Sequence, residues 1–239
     1  KTNSKYLGLV TKKFNDFLLV DVKNQENSEI NDKFLCKVRK SIHFKDQLIY
    51  VGDEVNIENI DLKSKRALIT SLKKRKNLLV RPSVANVSNI YITFSVEEPE
   101  LNLSQVNRFL ISAESMGVEV SLVLTKCDLI SDKKQIFLLD KFKKWGYQAI
   151  ILNLYKSDHF EDLLAQLKKK KCSIFMGPSG VGKTTLLNKI IPGLQNSTAP
   201  VSNKIKRGKN TTRNVELFSI SNQSYIVDTP GFNMQPLEV

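Results

Sequence analysis

The segment CSIFMGPSGVGKTTLLNKII, residues 172–191, places a glycine-rich loop between an apolar run and a helical pattern. From Gly177 to Thr184 the loop matches the pattern Gly-x-x-x-x-Gly-Lys-[Ser/Thr] in full. A strand before such a loop and a helix after it are the context that a phosphate-binding P-loop requires. Glycines let backbone N–H groups turn toward phosphates, and the following helix directs its positive end at them. The segment therefore predicts an α/β domain with a nucleotide-phosphate site.

The residue types of this loop predict separate roles in binding. The Lys183 ammonium can reach the β- and γ-phosphates, and the Thr184 hydroxyl can bind Mg²⁺. The residues of this segment that we expect to bind the nucleotide are Gly177, Pro178, Ser179, Gly180, Val181, Gly182, Lys183, Thr184 and Thr185.

Two downstream stretches complete the predicted phosphate and metal site. Asp228-Thr229-Pro230-Gly231 follows a predicted strand, so Asp228 can hold Mg²⁺ through water and the Gly231 N–H can meet the γ-phosphate. Thr211 and Thr212 lie in a polar loop, where a threonine can complete the Mg²⁺ shell while the γ-phosphate is present. The predicted magnesium ligands are Thr184, Thr212 and Asp228.

A further motif, Thr125-Lys126-Cys127-Asp128, follows the predicted strand Val118–Leu124 and is expected to bind the base. The Asp128 carboxylate can accept the guanine N1–H and N2–H together, as a charge-assisted pair of hydrogen bonds. Adenine lacks both donors and would leave the carboxylate unpaired, so GTP is preferred over ATP. Lys126 can lie along the base and brace the P-loop. A P-loop ATPase is the alternative that Asp128 disfavours.

The order of these motifs is that of a circular permutation. In ordinary small GTPases the P-loop comes first, whereas here the base motif at 125–128 precedes the P-loop at 177–184. From residue 85 onward, apolar strands alternate with helical patterns, which predicts a mostly parallel sheet covered by helices on both faces. The permuted order can form the same sheet, so we predict a circularly permuted P-loop GTPase domain.

The N-terminal part of the chain has a different pattern, with five short apolar strands in about 75 residues. This pattern predicts a small β-barrel. An OB-fold is favoured, although the pattern does not separate it from an SH3-like barrel. A basic run at 73–76 and the dipeptide Arg81-Pro82 indicate a linker at about 73–84. We predict an OB-fold domain over residues 1–76 and the permuted GTPase domain over 77–239.

The composition favours a polyanionic partner. The formal net charge is +13, from 37 Lys and Arg against 24 Asp and Glu, and such a balance suits nucleic acid better than a solvated surface alone. No apolar run approaches the ~20 residues that span a bilayer. No strongly amphipathic basic helix is visible either, so no membrane partner is expected. The spacing of Cys36, Cys127 and Cys172 predicts reduced, buried thiols. The run Lys168–Lys171 is predicted to be a solvated helix end that complements the helix dipole, and not a binding site.

Taken together, these stretches resemble the ribosome small-subunit-dependent GTPase A family, RsgA. The resemblance is carried by Lys74–Val87 at the domain junction, by Gly177–Thr185, by Gly208–Arg213 and by Asp228–Gly231. It implies an OB-fold, a permuted GTPase domain that binds GTP or GDP with Mg²⁺, and a role in late maturation of the small ribosomal subunit. It also implies GTP hydrolysis stimulated by that subunit and contacts with ribosomal RNA. We expect a cytoplasmic monomer.

The chain departs from the family pattern at positions that bear on catalysis. The family has Asn where Thr125 stands, which is expected to weaken the bracing of the base site slightly, and it often has His where Asn210 stands. Many GTPases orient the attacking water with a Gln after Asp-x-x-Gly, where this chain has Phe232. The predicted catalytic residues are Lys183, Asn210, Thr211, Thr212 and Gly231.

These departures leave two functional predictions. The first is slow intrinsic GTP hydrolysis that the small subunit accelerates, and the alternative is a nucleotide-switched, rRNA-binding assembly factor with little turnover. The family's base-contact loop falls near Asn153-Leu154, which matches poorly. The sequence ends at Val239, before the Cys and His residues of the family's C-terminal zinc-binding domain. We therefore expect that domain to be missing, and zinc only within it.

Overall fold

The computed structural model describes residues 5–22, 32–39, 48–154, 159–191, 194 and 215–228. The N-terminal strands are β1 Tyr6–Lys13, β2 Leu18–Val22, β3 Asp32–Val38, β4 Glu54–Asp61 and β5 Arg66–Leu72. They pair in the order β1-β2-β3-β5-β4, and β4 pairs back to β1, which closes a barrel. The β3–β5 pair is parallel and the other pairs are antiparallel. A closed five-stranded barrel of this kind confirms the predicted OB-fold.

Alternate residues of the barrel strands point inward and fill the barrel. Val10, Phe34 and Ile69 are fully buried, and each belongs to a different strand. They pack with other apolar residues in one cluster that is separate from the cores of the C-terminal sheet. This period of two is what a half-buried strand produces, because successive side chains face opposite sides of the sheet.

The C-terminal part is a sheet with helices on both faces, as predicted. Its strands are β8 Asn89–Ser95, β9 Glu119–Thr125, β10 Ala149–Ile151, β11 Cys172–Met176, β12 Glu216–Ser219 and β13 Tyr225–Asp228, after a small hairpin of β6 Leu78–Leu79 and β7 Val84–Ala85. The order is β10-β9-β8-β11-β13-β12, parallel except for β12. The helices are α1 Leu103–Glu114, α2 Asp132–Lys144, α3 Phe160–Lys168 and α4 Lys183–Ile190.

Two apolar cores lie on the two faces of this sheet. The side chains of α1 and α2 pack on one face with Ile90 and Ile92 of β8. The side chains of α3 and α4 pack on the other face with Tyr91, the residue between them. None of the helices in the described part of the chain is long and apolar enough to cross a membrane.

The apolar helical stripe that starts at Val106 predicts Ser104 as the N-cap of α1. The structure instead has Asn102 as the N-cap, and its side chain accepts a hydrogen bond of 3.0 Å from the Gln105 N–H. Ser104 therefore lies inside the first turn. Asparagine and serine are both favourable N-cap residues, and the sequence alone does not show which of the two begins the helix.

The barrel and the C-terminal sheet are joined into one sheet of eleven strands. The link is an antiparallel contact in which Lys12 of β1 stands opposite Glu216 of β12, and their side chains form an ion pair. Nearby, the buried Tyr225 hydroxyl of β13 donates a hydrogen bond of 3.0 Å to the buried carboxylate of Asp21 in β2. The barrel is thus attached directly to the strand that ends at Asp228.

A buried ion pair fixes the segment that leaves the barrel. Arg75 donates two hydrogen bonds to the fully buried Asp53 carboxylate, with N···O distances of 2.6 and 2.7 Å. The guanidinium also lies 5.0 Å from the centre of the Tyr50 ring. The hydrogen bond with Asp53 raises the pKa of Arg75 above its ordinary value. This pair orders the chain just before the predicted domain boundary between residues 76 and 77.

Candidate nucleotide site

The P-loop follows a fully buried strand, β11, and leads into α4. Gly177 has a φ of +152°, and a Cβ built on it would lie 2.1 Å from the carbonyl oxygen of Thr93 on β8. Only glycine fits this approach of two backbones. Gly182, with a φ of +88°, stands before the first residue of α4. The loop thus has the glycine-dependent shape predicted from its sequence, with the helix N-terminus at its end.

The Lys183 side chain folds back over the loop. Its ammonium donates to the carbonyl oxygen of Gly177 at 2.8 Å and also to that of Pro178. Partial burial lowers the pKa of Lys183 below its ordinary value. Thr184 and Thr185 occupy the first turn of α4 and are exposed. The loop therefore places a cation, backbone N–H groups and hydroxyls around one position, which is the chemistry that a triphosphate requires.

The base motif is attached to the P-loop by a hydrogen bond. Thr125, at the end of β9, is fully buried, and its Oγ1 lies 2.6 Å from the Val181 carbonyl oxygen and 3.2 Å from that of Phe94. A hydroxyl has one hydrogen to donate, and the shorter distance assigns it to Val181. Threonine therefore braces the loop at the position where the family has asparagine.

The residues after Thr125 turn sharply toward solvent. Lys126 has a φ of +57°, and its ammonium donates to the carbonyl oxygen of Glu98. Asp128 lies in a short 3₁₀ turn, Cys127–Leu129, and its side chain is exposed. The Cys127 thiol is buried, and burial raises its pKa to about 12. Cys127 thus packs inward, while Asp128 is open to a ligand.

The metal-binding candidates are only partly described. Asp228 ends β13, which runs parallel to β11 with Val227 opposite Ile174. Its carboxylate therefore stands at the same edge of the sheet as the P-loop, as expected for a ligand site at the carboxyl ends of parallel strands. The other predicted residues, Asn210, Thr211, Thr212 and Gly231, lie outside the described residues.

The donors at this edge fit Mg²⁺ rather than a transition metal. The Thr184 hydroxyl and the Asp228 carboxylate are hard oxygen ligands, and Mg²⁺ is commonly held by one or two such groups together with phosphates and water. In the part of the chain that the structure describes, no three His, Cys, Asp or Glu side chains come together as a metal site.

Sequence reasoning missed two residues that border the P-loop, Leu154 and Pro99, and a lysine that is hydrogen-bonded to one of them. A Cβ built on Gly182 would lie 3.4 Å from the side chain of Leu154, and one on Gly180 would lie 3.7 Å from Pro99. Lys189 of α4 donates to the Leu154 carbonyl oxygen at 3.0 Å. Leu154 lies where the family's base-contact loop was expected. Its place in the sequence could therefore have indicated a residue near the nucleotide site, although its side chain has no polar group.

Comparison with known proteins agrees with this geometry. The family model described as RsgA GTPase matches residues 72–238. A protein of Prochlorococcus marinus (strain NATL1A) named small ribosomal subunit biogenesis GTPase RsgA is 41% identical over 238 residues, covering 97% of this chain and 76% of the relative. A protein of the same name from Synechococcus sp. (strain CC9605) is 40% identical over 205 residues, covering 86% of this chain and 67% of the relative.

Two crystal structures have the same fold over almost the whole chain. YjeQ from Thermotoga maritima superposes with a TM-score of 0.77 at 30% identity, covering 96% of this chain and 76% of that one. YloQ, described as a circularly permuted GTPase, superposes with a TM-score of 0.75 at 26% identity, covering 97% and 73%. Fold, motif order and site together define a circularly permuted P-loop GTPase that carries an N-terminal OB-fold. Within that class, the chain belongs to the RsgA GTPase family.

Proposed function

We propose that this GTPase acts in late maturation of the small ribosomal subunit and that the subunit stimulates its GTP hydrolysis. The relatives named for small-subunit biogenesis support the biological role. The observation that carries the chemistry is the 2.6 Å contact between Thr125 and Val181, which fixes the base-reading turn against the P-loop. This contact supports a site in which the triphosphate and the base are bound next to each other.

In this proposal each group of residues has a separate role in nucleotide binding or hydrolysis. Asp128 accepts from the guanine edge, and Lys126 lies along the base. The P-loop N–H groups and Lys183 hold the phosphates and stabilise the charge that develops on them during transfer. Thr184, Thr212 and Asp228 would hold Mg²⁺, which would supply positive charge to neutralise the phosphates. Gly231 contributes its N–H to the γ-phosphate.

Orientation of the attacking water is the step for which this chain has no obvious side chain. Phe232 has no polar group, and Asn210 stands where the family often has His. We therefore propose that the loop containing Asn210, Thr211 and Thr212 becomes catalytically competent when the small subunit orders it. Intrinsic turnover is then slow, and the subunit accelerates it.

The same two residues favour a second candidate, a nucleotide-switched rRNA-binding factor that barely turns over. The two candidates differ in multiple-turnover phosphate release from purified protein, measured with and without small subunits. The first predicts many turnovers per molecule when subunits are present. Release limited to a single turnover under those conditions would favour the second, and equal rates with and without subunits would refute subunit stimulation.

The partners follow from the proposed role. They are the small ribosomal subunit and its RNA, and the net charge of +13 suits contact with phosphates. We propose that the protein works in the cytoplasm as a monomer, with an OB-fold domain over 1–76 and a GTPase domain over 77–239. Sedimentation of the nucleotide-bound protein, alone and with subunits, tests both the oligomeric state and the partner.

A further inference from the structure

A cleft of about 450 Å³ lies between the barrel and the GTPase domain. Residues 7–9 of β1, with Asp21 and Glu54, form the barrel side, and the segments 168–171 and 222–225 form the other side. These two segments lead into the amino ends of β11 and β13. The P-loop and Asp228 are at the carboxyl ends of the same strands. The cleft is thus at the opposite edge of the sheet from the nucleotide site and is distinct from it.

Hydrogen bonds hold the two sides of the cleft in place. The Ser224 hydroxyl donates to the Lys168 carbonyl oxygen at 2.6 Å, and the Tyr225 N–H donates to the Lys171 carbonyl oxygen at 3.0 Å. Across the cleft, the Tyr225 hydroxyl donates to Asp21 at 3.0 Å. The backbone that presents the lysines is therefore already ordered, which reduces the entropic cost of binding a ligand there.

The charge of the lining is predominantly positive, with the four lysines 168–171 against two carboxylates. Lys171 forms an ion pair with Glu54, and Lys170 forms one with Glu119 at 2.6 Å. Lys168 and Lys169 are exposed and form no ion pair with any residue that the structure describes. The run that the sequence predicted to be a solvated helix end thus presents two uncompensated ammonium groups at a formed cleft.

We infer that this cleft binds the sugar–phosphate backbone of RNA. Lys168 and Lys169 contact phosphates, and the exposed amides of Asn222 and Gln223 hydrogen-bond to sugar hydroxyls or base edges. Lysine, amide and hydroxyl side chains are among the groups that proteins use to contact the phosphates and sugars of nucleic acids. The inference rests on the proposed function only in that the RNA is then ribosomal.

The lining favours an extended polyanion over a compact one. Asp21 and Glu54 lie on the barrel side, so a small multiply charged anion seated inside the cleft would meet two carboxylates. A strand of RNA laid along the rim contacts Lys168 and Lys169 and can keep its phosphates away from those carboxylates. The strong positive charge of the whole chain adds a favourable long-range contribution for such a ligand.

The test measures binding of a short fluorescein-labelled single-stranded RNA by fluorescence anisotropy, with the full chain saturated with GDP so that the nucleotide site is filled. The test variant is Lys168→Glu/Lys169→Glu. The matched control is Lys143→Glu/Lys144→Glu, two consecutive exposed lysines at the end of α2. Both variants change the net charge equally and remove lysines from a helix end. Thermal unfolding of each variant checks that it is folded.

We expect the test variant to bind RNA about tenfold or more weakly than the control. The slope of log K against the logarithm of the salt concentration should be smaller in magnitude by about 1.4, which is the value for two lost phosphate contacts with a single strand. Equal losses in both variants would overturn the inference, because net charge alone would explain them. Competition by a mononucleotide as effective as that by RNA would also overturn it. GTP hydrolysis with small subunits is measured in parallel, since lack of stimulation of the wild type refutes the proposed function alone.

Discussion

Thr125 on β9 and Val181 in the P-loop are joined by a hydrogen bond, with the Thr125 Oγ1 2.6 Å from the Val181 carbonyl oxygen. The two residues are 56 positions apart in sequence, and both are buried. The contact therefore makes the turn that follows Thr125 and the P-loop one structural unit.

The first prediction concerns Thr125→Val, which keeps the side-chain shape and removes the hydroxyl. It leaves the buried Val181 carbonyl without this donor, a loss of about 1–3 kcal/mol. We expect weaker binding of fluorescent GDP by about fivefold to a hundredfold, since about 1.4 kcal/mol corresponds to a factor of ten. Thr125→Ser keeps the hydroxyl and is expected to bind within a few-fold of the wild type. Unchanged affinity in a folded Thr125→Val protein would show that the brace is dispensable.

The second prediction tests the base assignment with Asp128→Asn. The amide can no longer accept both guanine donors, but it can donate to the oxygen that xanthine carries in place of the guanine amino group. GDP affinity is expected to fall by at least about tenfold, the value for 1.4 kcal/mol, and XDP is expected to bind better than GDP. The side chain is exposed, so the unfolding temperature should barely change. A mutant that still prefers GDP would contradict the assignment.

The third prediction compares two Gly→Ala substitutions at positive φ. Gly177→Ala puts a methyl group 2.1 Å from the Thr93 carbonyl oxygen, whereas Gly146, with a φ of +91°, has no atom within 4 Å of the added Cβ. Gly146→Ala should therefore lower the free energy of unfolding only by the backbone strain of about 1–2 kcal/mol. Gly177→Ala should lower it more and abolish GDP binding, as measured by urea unfolding and nucleotide titration. Similar losses in the two variants would contradict this account.

The fourth prediction concerns the ion pair of Arg75 and Asp53. Arg75→Met leaves the fully buried Asp53 carboxylate without its charged partner and should lower the free energy of unfolding by about 3–5 kcal/mol. Adding Asp53→Asn should recover part of that loss, because the buried charge is then gone. Urea unfolding of the two single variants and the double variant measures the coupling between them. Additive losses would mean that the pair is not coupled.

The fifth prediction concerns pH and the Tyr225 hydroxyl. Burial and the neighbouring Asp21 raise the pKa of Tyr225 above its ordinary value of 10. As the pH rises, the unfolded chain therefore loses this proton before the folded protein does. The contribution of the Tyr225 hydroxyl to the free energy of unfolding is complete below about pH 10 and is lost as the pH rises above that value. In Tyr225→Phe, the fall of the free energy of unfolding above that pH should be shallower by up to about 1.4 kcal/mol per pH unit. Parallel curves for both proteins would refute the assignment.

The elements that could be predicted from the sequence are those that local chemistry determines. The P-loop requires glycine at Gly177 and Gly182 for backbone reasons, and Asp128 follows a strand whose apolar run is unmistakable. The barrel follows from short alternating strands, but the pairing of β3 with β5 that identifies it as an OB-fold joins segments distant in the chain. Such pairings depend on tertiary packing, which the local pattern does not contain.

Apart from the N-cap of α1, the contacts that sequence reasoning missed are between distant segments. Tyr225 meets Asp21 from 204 positions away, and Leu154 lies beside the P-loop without a polar group to mark it. The run at 168–171 has the composition of an ordinary solvated helix end, and only the fold places the barrel opposite to it. The sequence thus predicts the exposure of the lysine run correctly, but the residues that face these segments are set by the topology of the fold.

The four residues of β13 form a short, direct connection between the barrel and the carboxylate of Asp228. Tyr225 at one end is hydrogen-bonded to Asp21 of the barrel, and Asp228 at the other end stands at the edge of the sheet that carries the P-loop. At about 3.3 Å per residue, the two ends are roughly 10 Å apart. Because this segment is short and extended, a displacement of the barrel at Asp21 would be passed along β13 to the carboxylate of Asp228 with little loss.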